Sequence, residues 1–393
     1  MSAPFVKVSD VCEQIRGVSY SGDDAIAVPA SGYLAVLRAN NITDDGLSFD
    51  DLTYVPEARI SAKQLVIAGD VVIAASSGSL SVVGKAAPAM QNLNMGFGAF
   101  CKVLRPNSKV DHAYFAHFFK TKSYRQKVSS LAAGANINNL RNEHLDDLPF
   151  PLPPLEEQRR IAAILDQAET LRTQRRAALA LLDSLTQSLF LDMFGDPVAN
   201  PKGFIKQPLS GVAEITTGST PGRGSDGYYG GNIPWVKTTE VAGDEIYDTE
   251  EKLTEAGLKA IRGKLHPINS IVVAMYGQGQ TRGRCALLRI EASCNQACGV
   301  IKPSEEFVPW FMFTQLLLAY ERLRALGRGG NQENLNLQLL GSFEVLVPPL
   351  PLQQTFATRI ASIEALKATH RRALAALDAL FASLQQRAFA GQL

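Results

Sequence analysis

Residues 153–197 read PPLEEQRRIAAILDQAETLRTQRRAALALLDSLTQSLFLDMFGDP, and this stretch decides the fold. Two prolines fit the first turn of a helix but not its interior, so Pro153 and Pro154 mark a start. Glu156 and Glu157 follow where carboxylates favour the helix dipole. No proline or glycine then occurs until Gly195-Asp196-Pro197 supplies a stop. The spacing predicts a helix of roughly 40 residues, about 60 Å long at 1.5 Å per residue. Its apolar positions alternate three and four apart: Ile161, Leu165, Ala168, Leu171, then Ala178, Leu182, Leu185, Leu189. That pattern predicts a heptad seam, broken by the polar Arg175.

The stretch occurs twice. Residues 134–194 align without a gap on residues 329–389, at a constant offset of 195. Pro153, Pro154, Leu155 and Gln158 fall on Pro348, Pro349, Leu350 and Gln353; Asp183 falls on Asp378 and Phe194 on Phe389. The second seam reads Phe356, Ile360, Ile363, Leu366, Ala373, Leu377, Leu380, Leu384, with His370 at the break. Upstream the halves diverge but keep a skeleton, GDVVIA at 69–74 against NSIVVA at 269–274, and VLRANNI at 36–42 against WVKTTEV at 235–241. The chain therefore reads as an α+β protein with two mixed α/β modules, 1–150 and 197–347. They are separated by two long antiparallel coiled-coil helices, 151–196 and 348–393, related by a pseudo-two-fold internal repeat. Ala and Leu crowd more than one helix face, which predicts a second apolar stripe for partner helices.

Composition constrains function less. The chain has 393 residues, 46% hydrophobic and 20% charged, with net charge +1. Residues 1–150 hold 14 Lys+Arg against 14 Asp+Glu, and 198–348 hold 15 against 15, so any nucleic-acid face must come from segregated charge. No signal-peptide pattern and no uninterrupted apolar run of ~18 residues is visible, which points to the cytoplasm. Five cysteines (12, 101, 285, 294, 298) show no C-x-x-C and no histidine nearby in sequence; buried free thiols are favoured over a zinc site.

The modules interrupt short strands with polar, glycine-rich loops. The loop at 277–284, GQGQTRGR, carries Gln280 and Gln278 beside Arg282 and Arg284. Gln can bond adenine and Arg guanine bidentately in the major groove, and glycine permits close backbone approach; the same loops also read as solvated turns. Chemistry of the chain's own is not legible. The Asn-Pro-Pro-aromatic motif of amino-methyltransferases and the phosphate-cradling G-x-x-x-x-G-K-[ST] loop are both absent, and Asp244, Glu250 and Lys252 match a nuclease only by chance-level spacing.

The proline-led repeat PLPPLEEQRRIAAILDQAE, the MFGDP stop followed by NPKGF, and GSTP…YYGGNIPWVKT at 218–238 resemble specificity subunits of Type I restriction–modification systems over essentially the whole chain. The second copy starts differently (PPLPLQQ) and lacks MFGDP, and the first module lacks the GSTP and IPW features. The resemblance implies two target recognition domains, each reading one half of a bipartite, asymmetric DNA site. It also implies two methyltransferase subunits docking on the helices, restriction subunits joining them, and no catalysis in this chain. S-adenosylmethionine would belong to the methyltransferase partner, ATP and Mg2+ to the restriction partner. By position, Arg38, Asn40, Asn41, Ser76, Ser77, Ser79 and Lys85 are expected to face DNA in the first domain. Lys237, Thr238, Gln278, Gln280, Arg282, Arg284 and Gln332 are expected to do so in the second. Two alternatives stay open: the recognition subunit of a Type IIB-like enzyme, and a coiled-coil scaffold that binds proteins.

Overall fold

The computed structural model describes residues 3–132, 139–224, 227–277, 280–328 and 334–392. Two compact units emerge, Met1–Arg176 with Arg372–Leu393, and Ala177–Arg371. Each combines one α/β module with half of each long helix, Leu155–Phe194 and Leu350–Phe389.

In the first unit, a four-stranded antiparallel sheet runs in the order Cys12–Arg16, Cys101–Pro106, Val71–Ala74, Ala86–Pro88. Val71–Ala74 is buried throughout, as its unbroken β-branched run requires. The chain enters this strand through Gly69 at φ +88, where a Cβ would meet the His112 ring at 2.1 Å. Asn269 occupies the corresponding place in the second unit, also at positive φ. A smaller sheet joins Thr53–Pro56, Tyr33–Leu37 and Gly96–Phe97. Helix His112–Phe118 is capped by Asp111, whose carboxylate accepts from the Ala113 and Tyr114 amides. Its aromatic face (Tyr114, Phe115, Phe118) packs with Phe150 onto Ile161 and Leu165 of one long helix and Phe381 and Ala388 of the other.

The second unit repeats this plan with five strands, Ile215–Thr217, Cys298–Ile301, Ile271–Ala274, Cys285–Leu288 and Glu245–Ile246. A three-stranded sheet is built on Tyr229–Val236. Helix Pro309–Leu318 places Phe311 against Phe190, Phe194 and Phe356. The aligned glutamines act identically. Gln158 accepts from the Asp111 amide at 2.8 Å and donates to the Pro153 carbonyl at 2.7 Å. Gln353 does the same to Val308 and Pro348, both at 2.8 Å. Each buried side chain thereby fastens a module to the start of its long helix.

Within each unit the two helix segments run antiparallel; the expected heptad positions Ile161, Leu165, Ala168, Phe356 and Ile360 are buried, but the seam departs from the heptad beyond them. Leu171, Leu185, Leu366 and Leu380 are 41–50% exposed. Both cross-helix ion pairs fall in series spaced eleven residues apart, Ile161, Arg172, Asp183, Phe194 on one helix and Phe356, Lys367, Asp378, Phe389 on the other. In the first unit Arg172 pairs with Glu169 and Asp378 and lies 4.4 Å over the Phe381 ring. In the second, Lys367 pairs with Glu364 and Asp183, both at 2.7 Å. At 3.6 residues per turn a seven-residue repeat drifts ~20° each time, whereas eleven residues close three turns, so the ion-pair residues stay on the contact line and the heptad leucines rotate off it. Arg175 and His370 lie off this line as well. By length and composition alone Leu155–Phe194 is apolar enough to cross a bilayer.

Candidate nucleic-acid interface

Each module ends its smaller-sheet strand in a 3-10 turn headed by a cation. After Tyr33–Leu37, the Arg38 amide donates to Asn41 Oδ1 at 2.9 Å; after Tyr229–Val236, the Lys237 amide donates to Glu240 Oε2 at 2.9 Å. Both cations meet acids. Arg38 reaches Asp51 Oδ2 at 2.9 Å, and Asn40 donates to the same oxygen at 3.3 Å. Lys237 reaches Glu250 at 3.0 Å and Glu251 at 3.4 Å. The Glu250 hydrogen bond raises the Lys237 pKa despite some desolvation, and Arg223 holds Glu251 below the ordinary carboxylate range.

The second pair of equivalent positions lies in the hairpin after the central strand. The Gly84 and Gly283 amides donate to Ala74 and Ala274 carbonyls, and the Ala74 and Ala274 amides donate to Lys85 and Arg284 carbonyls, all at 2.8–2.9 Å. Lys85 and Arg284 are therefore counterparts. Lys85 bonds Asp44 at 2.8 Å, which ties the hairpin loop to the Arg38 loop. Ser76 and Ser77 are half-buried and Ser79 is exposed; Arg125 supports this loop by donating to the Ser81 and Val83 carbonyls at 2.9 Å. In the second module Arg284 donates to Gln280 Oε1 at 3.0 Å, and Tyr320 donates to the Gln280 carbonyl at 2.7 Å. Thr238 is half-buried. Gln278 and Gln332 lie outside the described residues.

Two of the residues expected to face DNA are buried within their modules. Asn41 is 1% exposed, and its amide is spent on closing the Arg38 turn and donating to the Asp50 carbonyl at 2.8 Å. Arg282 is 7% exposed at the hairpin's base. Sequence reasoning missed Arg223, which pairs with Glu251 at 2.6 Å and lies 4.6 Å over the Tyr229 ring. The signal was an arginine a few residues before YYGG…W, an arrangement suited to a cation on aromatic faces. It also missed Arg16, Lys102 and Arg141, which share one polar cavity. All five cysteines are buried and free. Folding brings His266 Nε2 within 3.7 Å of Cys294 Sγ, although the two are far apart in sequence. The Cys298 thiol and His266 both favour the Cys294 thiolate and lower its pKa. Among the described residues no group of three or more His, Cys, Asp or Glu side chains is arranged to hold a metal ion.

The chain is thus a duplicated α/β module that carries two loop-borne cations at equivalent positions. The family of the Type I restriction modification DNA specificity domain matches residues 4–181 and again 201–378, and the chain belongs to that family. It is 29% identical to the Type I restriction enzyme StySPI specificity subunit of Salmonella potsdam, over 98% of this chain and 88% of that one. It is 43% identical to the EcoKI specificity subunit of Escherichia coli K12 over 46% of this chain and 39% of the relative. The fold is shared with the S subunit from M. genitalium at TM-score 0.61, with 14% identity, 98% of this chain covered and 96% of the other.

Proposed function

We infer that this chain is the sequence-reading subunit of a Type I restriction–modification complex, each module reading one half of a bipartite, asymmetric DNA site. The observation that carries this is the recurrence of one loop geometry with different side chains, Arg38 against Lys237 and Lys85 against Arg284. A shared frame positions the cations while divergent neighbours supply different sequence preferences. Arg38, Asn40, Ser76, Ser77, Ser79 and Lys85 face DNA in the first module, with Lys237, Thr238, Gln280 and Arg284 in the second, joined by Gln278 and Gln332. The long helices set the unspecified gap. Their exposed leucines, Leu171 and Leu380 in the first unit and Leu181, Leu185 and Leu366 in the second, give each unit an apolar surface for docking of the two methyltransferase subunits, with restriction subunits completing the assembly. Catalysis belongs to those partners: S-adenosylmethionine to the methyltransferase, ATP and Mg2+ to the restriction subunit. The complex works in the cytoplasm.

The test is methylome sequencing of a methylation-free host that co-expresses this chain with its neighbouring methyltransferase. N6-methyladenine at one bipartite motif, lost when either module is deleted, is the expected result. A stable complex with no motif-specific methylation would favour the protein-binding scaffold instead. Cleavage beside the site by the same assembly would place the chain with Type IIB-like partners.

A further inference from the structure

The antiparallel register of the first module sets Arg16 directly opposite Lys102, on the same face of the four-stranded sheet. Like charges at directly opposed positions destabilise a sheet, and burying one of them adds a desolvation cost. Lys102 is 8% exposed. Its ammonium donates to the neutral Asn142 Oδ1 at 2.7 Å, and among the described residues no carboxylate forms an ion pair with it. The carboxylates whose charge reaches it are Asp146, already bonded by Gln14 at 2.8 Å, and Glu143, already paired with Arg141 at 3.2 Å. Among the described residues the pair is compensated only by a neutral acceptor and by carboxylates already engaged elsewhere. In the second module the same cross-strand pair is Thr217 and Gly299, the latter backed by Leu340 and Met275, and the sheet forms equally well without any charge there.

The two cations and Arg141 line a polar cavity of about 510 Å³. Its rim carries Ala75, next to Ser76, and the turn bearing Phe100, which is 68% exposed and whose carbonyl accepts from the Ala75 and Ser76 amides. The cavity thus adjoins the loop already assigned to DNA.

We propose that Arg16, Lys102 and Arg141 form a pocket for one phosphodiester of the DNA backbone, specific to the first module and absent from the second. This rests on the DNA-reading function above. A bound oxyanion supplies the counter-charge that the cross-strand pair lacks and converts a destabilising arrangement into a clamp. Burial, then Arg16, lower the Lys102 pKa to about 8, with Asp146 and Glu143 opposing, so a phosphate should draw a proton back onto it above that pH.

The experiment compares the wild-type complex with Lys102→Met and Arg16→Gln, titrating a duplex that carries the methylated motif across a salt series. Each variant is expected to lose about tenfold in affinity near 0.1 M salt and about one unit of the log–log salt slope, with the methylated sequence unchanged. The melting temperature of Lys102→Met should not fall, because the change removes a buried like charge. Should that variant misfold, the exposed Arg16→Gln decides alone. Unchanged slopes beside intact wild-type binding overturn the pocket only, as does an altered first half-site, which would mean base reading. Absence of specific binding by the wild-type complex would overturn the functional reading and the pocket with it.

Discussion

Arg38, Lys85 and Lys237 all rest against carboxylates in the absence of DNA. Under the proposed function a phosphate has to displace Asp51, Asp44 or Glu250, which would lower affinity for arbitrary DNA and leave sequence contacts to decide binding. Replacing Asp51→Asn and Glu250→Gln together is expected to leave the melting temperature unchanged, since exposed pairs contribute little. Non-specific DNA affinity should rise about three- to tenfold, read by titrating a motif-free duplex at two salt concentrations. No change in that titration would show that these cations do not meet DNA. Lys102 carries a second prediction. Its folded pKa of about 8 lies below the ordinary 10.5, so between those values the unfolded chain binds more protons and stability rises with pH. Below pH 8 the full penalty of the buried charge is present. Denaturant midpoints of wild type and Lys102→Met at pH 7, 9 and 10 should converge as pH rises; a constant difference would rule out a desolvated lysine.

At the scale of elements, the long helices divide their apolar residues between two jobs. Phe190 and Phe356 are fully buried against Phe194 and Phe311, and truncating either to alanine should cost about 3–5 kcal/mol in a denaturant titration. Leu185 and Leu380 are half-exposed at equivalent positions in the two copies. Leu185→Glu with Leu380→Glu should leave the chain's own stability within experimental error and abolish co-purification with the methyltransferase. Retained co-purification would move the docking surface elsewhere. The duplicated clusters, Arg172 with Glu169 and Asp378, and Lys367 with Glu364 and Asp183, close the contact line between the helix segments within each unit. Arg172 lies over the Phe381 ring, a contact suited to a planar guanidinium.

For the whole molecule, the proposed function assigns what is read to the two modules and how far apart it is read to the repeated helices. Exchanging residues 201–347 for the corresponding part of a relative should change one half of the methylated motif and leave the other intact. Inserting eleven residues into both long helices keeps their contact line and should lengthen the unspecified gap with both half-sites unchanged. Methylome sequencing reads both outcomes, and a half-site altered by the insertion would end the idea of the helices as a ruler.

The duplication, the two long helices, their proline starts and the polar loops were legible in the chain alone, because identity at a fixed offset and helix punctuation are properties of linear order. The eleven-residue contact line was not, since heptad and eleven-residue spacings share the same leucine-rich stretch and only the facing helix selects between them. Nor was the burial of Asn41 and Arg282, whose residue types are equally at home in a turn, a cap or a groove. Arg16 and Lys102, like His266 and Cys294, are far apart in sequence and meet only through strand pairing and packing. Cross-strand register is decided by which apolar face the whole sheet buries, so the charges it brings together belong to the tertiary structure.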